Sequence, residues 1–294
     1  MPFEFDAAEI KQFTGTQMII DERDYIVDDE RCKRFAAIAN TAVAEPFSTA
    51  SHLVPGWHWL YTHETPIDTK LGADGHSALR SLDIPTHFTQ RLWAGSEIRL
   101  GRKITVGEKL RLRTATGPAI AKNGRSGPLV FMPVQIDLLD GDTSILSEYR
   151  SDVYRPITTQ PRIPKQETRS EIPAALLENV ISRTLMLDEV SLFRYSALIG
   201  VSHRIHYDLA YTTEVENYPG LLIHGPLVAQ MLVQHALSIN ISADVKSMKV
   251  LAINPSFLGS TLTLHAVRDP NTHRTIAWAE DTNGSKKMHV ELFY

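Results

Sequence analysis

Hydrophobic residues recur with a helical period at two places along the 294-residue chain, and with a strand-like period after each of them. The first helical stretch is Asp28–Ala42, where apolar side chains fall on one face and charges on the other. The second is Pro226–Ile239, whose proline suits a first helical turn because its missing N–H has no partner there. The pattern therefore predicts one helix in each half of the chain.

Each predicted helix is followed by runs in which apolar and polar residues alternate, bounded by glycine and asparagine. In the first half the predicted strands are Glu97–Leu100, Lys103–Val106, Lys109–Ala115, Leu129–Leu139 and Ser144–Tyr154. In the second half they are Ser247–Ile253, Thr261–Val267, Thr275–Asp281 and Lys287–Phe293. A helix followed by an antiparallel meander, occurring twice, predicts an α+β fold in which each curved sheet buries its apolar face on a helix.

A proline-rich segment separates the two repeats. Residues 154–173 hold four prolines among mostly polar residues, a composition that resists both helix and central strand. We therefore expect a linker at 156–173 between two domains, 1–155 and 174–294.

Composition narrows the class of protein. A hydrophobic content of 43% with 22% charged residues is typical of a globular protein, and the net charge of −4 does not favour nucleic acid or an anionic membrane as a partner. The single Cys32 excludes an intramolecular disulfide and a thiolate zinc site, which fits a reducing compartment. No apolar run is long enough to span a bilayer, and the N-terminus lacks signal or transit features. We expect a cytoplasmic protein.

Candidate chemistry concentrates in two neighbouring stretches of the second half. Residues 203–208 read His-Arg-Ile-His-Tyr-Asp, and residues 218–226 read Tyr-Pro-Gly-Leu-Leu-Ile-His-Gly-Pro before the predicted helix. Imidazole has a pKa close to physiological pH, and backbone N–H groups at a helix N-terminus stabilise developing negative charge. Together they predict proton transfer next to a carbonyl group.

These stretches resemble motifs of the R-specific enoyl-CoA hydratase and dehydratase family of MaoC type. The nearest branch resembles the hydroxyacyl-thioester dehydratase type 2 group, which includes mesaconyl- and itaconyl-CoA hydratase-like proteins. The motifs cover nearly the whole chain: 55–61, 74–76, 90–95 and 122–128 in the first half, and 192–198, 203–208 and 218–226 in the second. The resemblance implies a double hotdog, in which two antiparallel sheets each wrap around a long central helix.

The resemblance also implies roles for individual residues. The second half carries the active site, and the first half has lost its own catalytic motif and shapes the acyl tunnel. His206 matches the catalytic histidine, and the Gly225 N–H matches the donor that polarises the thioester carbonyl. The implied reaction adds water to an enoyl thioester, or removes it, on coenzyme A (CoA) or a carrier protein. The implied reaction needs no cofactor.

One position departs from the family. An Asp, or in this branch often an Asn, stands five positions before the catalytic histidine, where this chain has Val201. Valine neither exchanges a proton nor holds the water that the pair normally shares. His203 and Asp208 are the local candidates to replace it, with Ser202 a weaker one.

Three alternatives follow from Val201. In the first, a neighbouring group replaces the missing Asp or Asn, and the site retains hydration. In the second, the site performs chemistry that needs only one acid/base group, such as isomerisation, elimination of a better leaving group or cyclisation. The third alternative is a non-catalytic homologue that binds acyl groups.

The remaining residues of the two stretches are candidates for substrate binding. Arg204 either contacts a phosphate of the carrier or pairs with Asp208. Gly220 is expected to supply backbone freedom in a turn, and His224 to cap the helix. The full set of predicted binding residues is Arg204, Tyr207, Tyr218, Gly220, His224 and Val201.

Metal is not expected, although two imidazoles and a carboxylate at 203–208 are metal-ligand types. The stretch lacks a helical HExxH arrangement, and the family needs no metal. The expected partner is a small-molecule acyl thioester, and a homodimer is among the possible assemblies.

Overall fold

The computed structural model describes residues 18–39, 51–63, 66–77, 84, 87–124, 127–157, 172–239 and 244–294. The α-helices are α1 (Asp29–Ile38), α2 (Trp59–Thr62), α3 (Glu189–Ile199) and α4 (Gly225–Leu237). The strands of the first half are β1 (Met18–Ile26), β2 (Gln90–Leu100), β3 (Lys109–Thr116), β4 (Ile120–Gly124), β5 (Gly127–Asp140) and β6 (Thr143–Arg155). Those of the second half are β7 (Ile181–Leu185), β8 (Ser247–Ala252), β9 (Leu262–Asp269), β10 (Arg274–Asp281) and β11 (Lys286–Phe293).

The strands form one antiparallel sheet that contains the same unit twice. Its order is β1-β3-β5-β6-β2-β8-β11-β10-β9-β7, with β4 paired to β5. Read outward from the centre, β2, β6, β5, β3 and β1 correspond to β8, β11, β10, β9 and β7. The two units join where β2 pairs with β8, from Gly95 opposite Leu251 to Arg99 opposite Ser247. The fold is therefore a double hotdog whose two sheets meet edge to edge.

Helices α1 and α3 repeat each other in sequence and position. The Asp28 carboxylate accepts a hydrogen bond from the Arg31 N–H at 2.8 Å, and Asp188 accepts one from the Ser191 N–H at 2.8 Å. These N-caps satisfy donors that the first helical turn leaves open. Seven residues after each cap stand Phe35 and Tyr195, whose rings lie 5.9 Å apart where the two helices pack. The halves are thus related by an approximate two-fold axis.

Helix α4 is the central helix of the second half. It packs against β9, β10 and β11 and is buried around almost its whole circumference. The amide of Gln230, buried within the helix, is satisfied: it accepts from the Tyr195 hydroxyl at 2.8 Å and donates to the Gly56 carbonyl at 3.1 Å. The helix begins one residue before the predicted start and ends at Leu237 rather than Ile239.

The corresponding region of the first half is built differently. Between α1 and β2, the described residues contain only the four-residue helix α2 and a turn of 3-10 helix at Asp68–Lys70. Helix α2 is joined to β6 by the buried carboxylate of Glu148, which is hydrogen-bonded to His58, Trp59 and Ser96. The interior of this half is therefore partly polar.

The predicted strand at Lys103–Val106 does not join the sheet and is reduced to one isolated antiparallel bridge, Thr105 opposite His52. Two backbone bonds flank this bridge: the Ile104 carbonyl accepts from the Leu53 N–H, and the Val106 N–H donates to the Ser51 carbonyl, both at 2.8 Å. Ile104 and Val106 are buried and Lys103 is exposed, which gives the alternation of a strand. Strands β1, β4 and β7 and helix α3 were not predicted.

Two sequence predictions fall partly outside the described residues. Helix α1 ends at Ile38, and positions 40–42 of the predicted helix lie outside the described ranges, as does most of the predicted linker. The division into domains at 155 and 174 stays a prediction. No helix in the described parts of the chain is long and apolar enough to cross a membrane.

Candidate active site

The two candidate stretches follow the end of α3. Gly200 takes a left-handed conformation, φ +70°, and the Val201 N–H bonds to the Ser196 carbonyl at 3.0 Å, which closes the helix. Val201 then packs, half-buried, against the main hydrophobic core. A short turn at Arg204–His206 brings His206 back towards the start of α4.

His206 is held as a hydrogen-bond acceptor. Its Nδ1 lies 2.8 Å from the Leu222 carbonyl oxygen, which can only accept, so Nδ1 carries the proton and Nε2 has a free lone pair. Burial lowers the pKa of His206 to about 4, partly offset by the bond to Leu222. The ring is therefore neutral at pH 7 and can act as a base.

His224 stacks on His206, with ring centroids 3.6 Å apart and an interplanar angle of 17°. It occupies the N-cap position of α4, but its side chain makes no capping bond, so that prediction is wrong. The ring turns instead towards α3, where Nε2 lies 2.8 Å from the Ser196 hydroxyl. Burial and the neighbouring histidines, His206 first, hold the pKa of His224 well below its usual range.

His203 is buried between two other histidines. Its ring stands edge-on to His206 at 5.6 Å and to His76 at 5.5 Å. Its Nε2 lies 3.9 Å from a carboxylate oxygen of Asp74 and has no hydrogen-bond partner within the described ranges. Burial, His206 and Arg91 hold the pKa of His203 well below its usual range.

A turn of the first half docks on this stretch of the second. The Asp74 carbonyl accepts from the Arg204 N–H at 2.8 Å, and the Ser202 hydroxyl donates to the Gly75 carbonyl. Gly75 has φ +78°, and a Cβ there would lie 2.1 Å from the Ser202 carbonyl oxygen. Only glycine permits this close approach. The family motif at 74–76 marked the turn, but nothing local in the sequence indicated where it docks.

Arg91, at the start of β2, holds His76 from the opposite side. One guanidinium nitrogen contacts His76 Nδ1 and the other donates to the Ser77 carbonyl at 3.0 Å. Because the Ser77 N–H also points at Nδ1, that nitrogen is an acceptor and the proton sits on Nε2. Burial and the charge of Arg91 hold the pKa of His76 well below its usual range.

Gly225 is the first residue of α4, where N–H groups have no acceptor within the helix. A Cβ on Gly225 would lie 2.8 Å from a ring carbon of Trp93 in β2, so the indole covers this turn. Trp93 is itself held by a bond from its Nε1 to the Ser96 hydroxyl at 3.1 Å. The first half therefore helps to shape the helix start that faces His206.

Asp208 and Arg204 form an ion pair. Arg204 donates to one Asp208 oxygen at 2.8 and 3.0 Å, and the other oxygen accepts from the Tyr211 N–H at 3.0 Å. The guanidinium lies 4.0 Å from the centre of the Tyr211 ring and also donates to the Ala73 carbonyl at 3.1 Å. Of the two alternatives for Arg204, the structure contains the pairing with Asp208. Tyr207 is exposed and donates to the Ser202 carbonyl at 3.1 Å.

Tyr218 and Gly220 lie on the segment that leads to α4. Tyr218 is buried in a small cluster with Ile205, Leu222 and Phe257. Gly220 is not in the left-handed region, and a Cβ there would meet no atom within 4 Å. Its conformation does not require glycine, so the predicted need for backbone freedom is wrong; the space beside it is open. Among the described residues, no group of His, Cys, Asp or Glu side chains converges as a metal ion needs.

The double hotdog thus holds a neutral histidine, with Nε2 as an acceptor, beside the start of its central helix. The family model of hydroxyacyl-thioester dehydratase type 2 matches residues 56–258. The chain belongs to this family.

Named relatives agree with this assignment. The chain is 36% identical over 215 residues to mesaconyl-C(4)-CoA hydratase of Chloroflexus aurantiacus, covering 71% of this chain and 74% of the relative. It is 25% identical over 235 residues to mitochondrial hydroxyacyl-thioester dehydratase type 2 of Schizosaccharomyces pombe, covering 72% and 77%. Its fold is similar to the crystal structure of a MaoC-like dehydratase from Phytophthora capsici, with a TM-score of 0.69, 14% identity and 97% coverage of both chains.

Proposed function

We propose that this protein is a hydro-lyase that adds water to an enoyl thioester or removes it from a 3-hydroxyacyl thioester. The observation that carries the proposal is the bond from His206 Nδ1 to the Leu222 carbonyl. It leaves Nε2 as an acceptor next to the first turn of α4. Membership of a family whose named relatives are hydratases and dehydratases supports the same reaction.

The reaction follows from these two groups. The Gly225 N–H donates to the thioester carbonyl oxygen and makes the β carbon electrophilic, an effect worth a few kcal/mol in comparable sites. His206 Nε2 takes one proton from water, and the hydroxide forms a bond to the β carbon. The electrons of the double bond move to the carbonyl oxygen as an enolate. The imidazolium then returns its proton to the α carbon, so that water has added in full.

The other predicted residues divide into two groups. His224, Val201, Tyr218 and Gly220 are assigned to the walls around the acyl group, because they adjoin His206 or lead to Gly225. Arg204, Tyr207 and Asp208 are assigned to holding the turn at 202–208, because their polar atoms are used within the protein.

The substrate is expected to be an acyl thioester of CoA or of a carrier protein, as the name of the Chloroflexus relative suggests for CoA. A cytoplasmic location is consistent with the buried free thiol of Cys32. A homodimer, tested by light scattering, is a further part of the proposal.

The test is the loss of enoyl-thioester absorbance when the purified protein meets crotonyl-, mesaconyl- and itaconyl-CoA. Hydration of at least one, abolished by His206→Ala, is expected. No turnover of any of them, in a protein whose unfolding is cooperative, would contradict the hydratase assignment. Binding of the thioesters without turnover would favour the acyl-binding alternative.

A second candidate keeps the site and changes the reaction. Val201 is packed against the core and offers no polar atom to water, which favours chemistry with a single acid/base group, such as isomerisation or cyclisation. Turnover of a double-bond isomer without uptake of ¹⁸O from labelled water would distinguish this from hydration.

A further inference from the structure

We propose that Asp74 of the first half orients His203 so that His203 holds the attacking water, the role that Val201 cannot perform. The proposal rests on the hydratase function and deepens it: the second group at the reaction centre is positioned across the junction of the two halves. Here His203 is the residue that touches the water, and Asp74 is a positioning residue.

The first step is that Asp74 is firmly placed. One carboxylate oxygen accepts from the His76 N–H at 3.0 Å, and the main-chain carbonyl accepts from the Arg204 N–H at 2.8 Å. Gly75 lets the turn approach the Ser202 backbone more closely than any other residue would. The carboxylate therefore moves with the backbone that carries His203.

The second step is that Asp74 selects the tautomer of His203. The second carboxylate oxygen lies 3.9 Å from His203 Nε2, and His203 is 6% exposed. A buried imidazole nitrogen that faces a carboxylate carries the proton, because the alternative places a lone pair against a negative charge. Shortening this separation to hydrogen-bond distance completes the N–H···O bond from His203 Nε2 to Asp74. Nδ1, the second ring nitrogen, then carries no proton and is an acceptor.

The third step is the chemistry of the water. A water molecule has two protons, and each needs an acceptor while its oxygen attacks carbon. His206 Nε2 accepts the proton that is transferred, and His203 Nδ1 accepts the hydrogen bond of the proton that stays in the new hydroxyl group. The rings lie 5.6 Å apart, a separation that one bridging water can span. An Asp or Asn at position 201 would offer an oxygen acceptor for the same purpose.

The surroundings keep His203 in this neutral acceptor form. Among the described residues, the charged and titratable groups near it are Asp74, His76, His206, His224 and Arg91. Asp74 is the one negative group among them. Arg91 and the burial of the ring disfavour a second positive charge, which agrees with the direction of the His203 pKa.

The test begins with Asp74→Asn. Asparagine keeps an oxygen for the His76 N–H and keeps the main-chain bond to Arg204, but it removes the charge and lets an amide N–H face His203 Nε2. The expected result is a fall in kcat of about 10- to 100-fold with KM little changed. Asp142→Asn, which removes an exposed carboxylate from the turn between β5 and β6, is the matched control and should retain wild-type kcat.

Two further measurements separate positioning from folding. The ¹⁵N shifts of His203 should report a proton on Nε2 in the wild type and a changed tautomer in Asp74→Asn, at an unchanged unfolding midpoint. Adding Val201→Asn to Asp74→Asn should recover about tenfold in kcat, because the amide oxygen at 201 returns an acceptor for the water.

The outcomes are decisive in either direction. Wild-type kcat in Asp74→Asn, a loss confined to KM or stability, or no gain from Val201→Asn in the double variant would overturn the role of Asp74. If His206→Ala abolishes hydration while Asp74→Asn does not reduce it, the proposed function stands and this inference fails. If the wild type hydrates none of the thioesters, the proposed function itself fails.

Discussion

The two halves of the molecule share strand order and helix caps but differ in what covers their sheets. In the second half, α4 covers the sheet with an almost wholly apolar surface, and its N-terminus faces His206. In the first half the same sheet face carries the buried carboxylate of Glu148 under the four-residue helix α2. Within the described residues, the second half therefore covers its sheet with an apolar helix, whereas the first half buries a polar network on its sheet.

The largest expected effect is confined to the second half. His206→Ala should lower kcat/KM about 10²- to 10⁴-fold, because general-base catalysis contributes in that range. His87→Ala, an exposed histidine of the first half, is the control and should change the rate little. Equal losses in both variants, measured by the enoyl-thioester assay, would show that the active base is not confined to the second half.

The buried polar interior of the first half predicts a large effect on stability. Glu148 is fully buried, which alone would raise its pKa, but the hydrogen bond and charge of His58, the charge of Arg150 and the bond from Ser96 together lower it to about 2. Glu148→Ala leaves His58 and Trp59 without their acceptor and should cost about 3–5 kcal/mol of the free energy of unfolding, measured with urea. Glu30→Ala breaks only an exposed pair on α1 and should cost less than about 1 kcal/mol. A similar small loss for Glu148→Ala would mean that the first half does not depend on its polar interior.

Acid should destabilise the junction of the halves, where the buried histidines meet. His206 has a pKa of about 4, His63 of about 3, and the pKa values of His76, His203 and His224 are also depressed, chiefly by burial. Between these values and the unfolded value near 6.5, the unfolded chain binds more protons than the folded one. The contribution of these neutral histidines to the free energy of unfolding should therefore be complete above about pH 6.5. It should fall as the pH drops, by up to about 1.4 kcal/mol per pH unit for each group.

Urea titrations at pH 7.5, 6.5 and 5.5 measure this dependence. His203→Gln should reduce its slope, whereas His273→Gln, remote from the junction, should leave it as in the wild type. A free energy of unfolding that is constant across this range would contradict the burial of neutral histidines.

The smallest expected effect distinguishes two glycines that flank the site. Gly225→Ala forces a Cβ against Trp93 of the first half and should cost about 1–3 kcal/mol in stability. Gly220→Ala meets no neighbour and should stay within about 0.5 kcal/mol of the wild type in urea unfolding. Equal stabilities of the two variants would show that the indole of Trp93 moves aside at no cost in free energy and does not fix the start of α4.

The sequence predicted the fold class and most strands of the second half, because β8, β9 and β11 largely alternate between buried and more exposed residues and β10 is a β-branched and apolar run bounded by turns. Helix α3 was missed although Asp188 and Gly200 are ordinary start and stop signals. The edge strand β7 is short and largely exposed, so it carries little of the hydrophobic pattern. Lys103–Val106 forms only one bridge, to His52, because alternation along a segment does not specify the strand with which it pairs.

The residues of the candidate site likewise include some that the sequence predicted and some that it did not. His206 and Gly225 could be predicted from the sequence, because the motif residues that identify each of them are its neighbours in the chain. The approach of Asp74 to His203 and the contact of Trp93 with Gly225 join residues of the two halves that are far apart in the chain. Such contacts depend on how the two halves dock, which spacing along one sequence does not encode.

The pairing of β2 with β8 makes the protein in effect a heterodimer of two unlike subunits that happen to share one polypeptide. The ion pair of Glu97 with Lys249 at 3.0 Å and the bond from Gln230 to Gly56 are then subunit contacts, and the connecting segment acts as a tether that raises the local concentration of one subunit near the other. Substitutions along this seam should behave as interface substitutions do and change activity through docking, although buried residues of both halves belong to one continuous hydrophobic core.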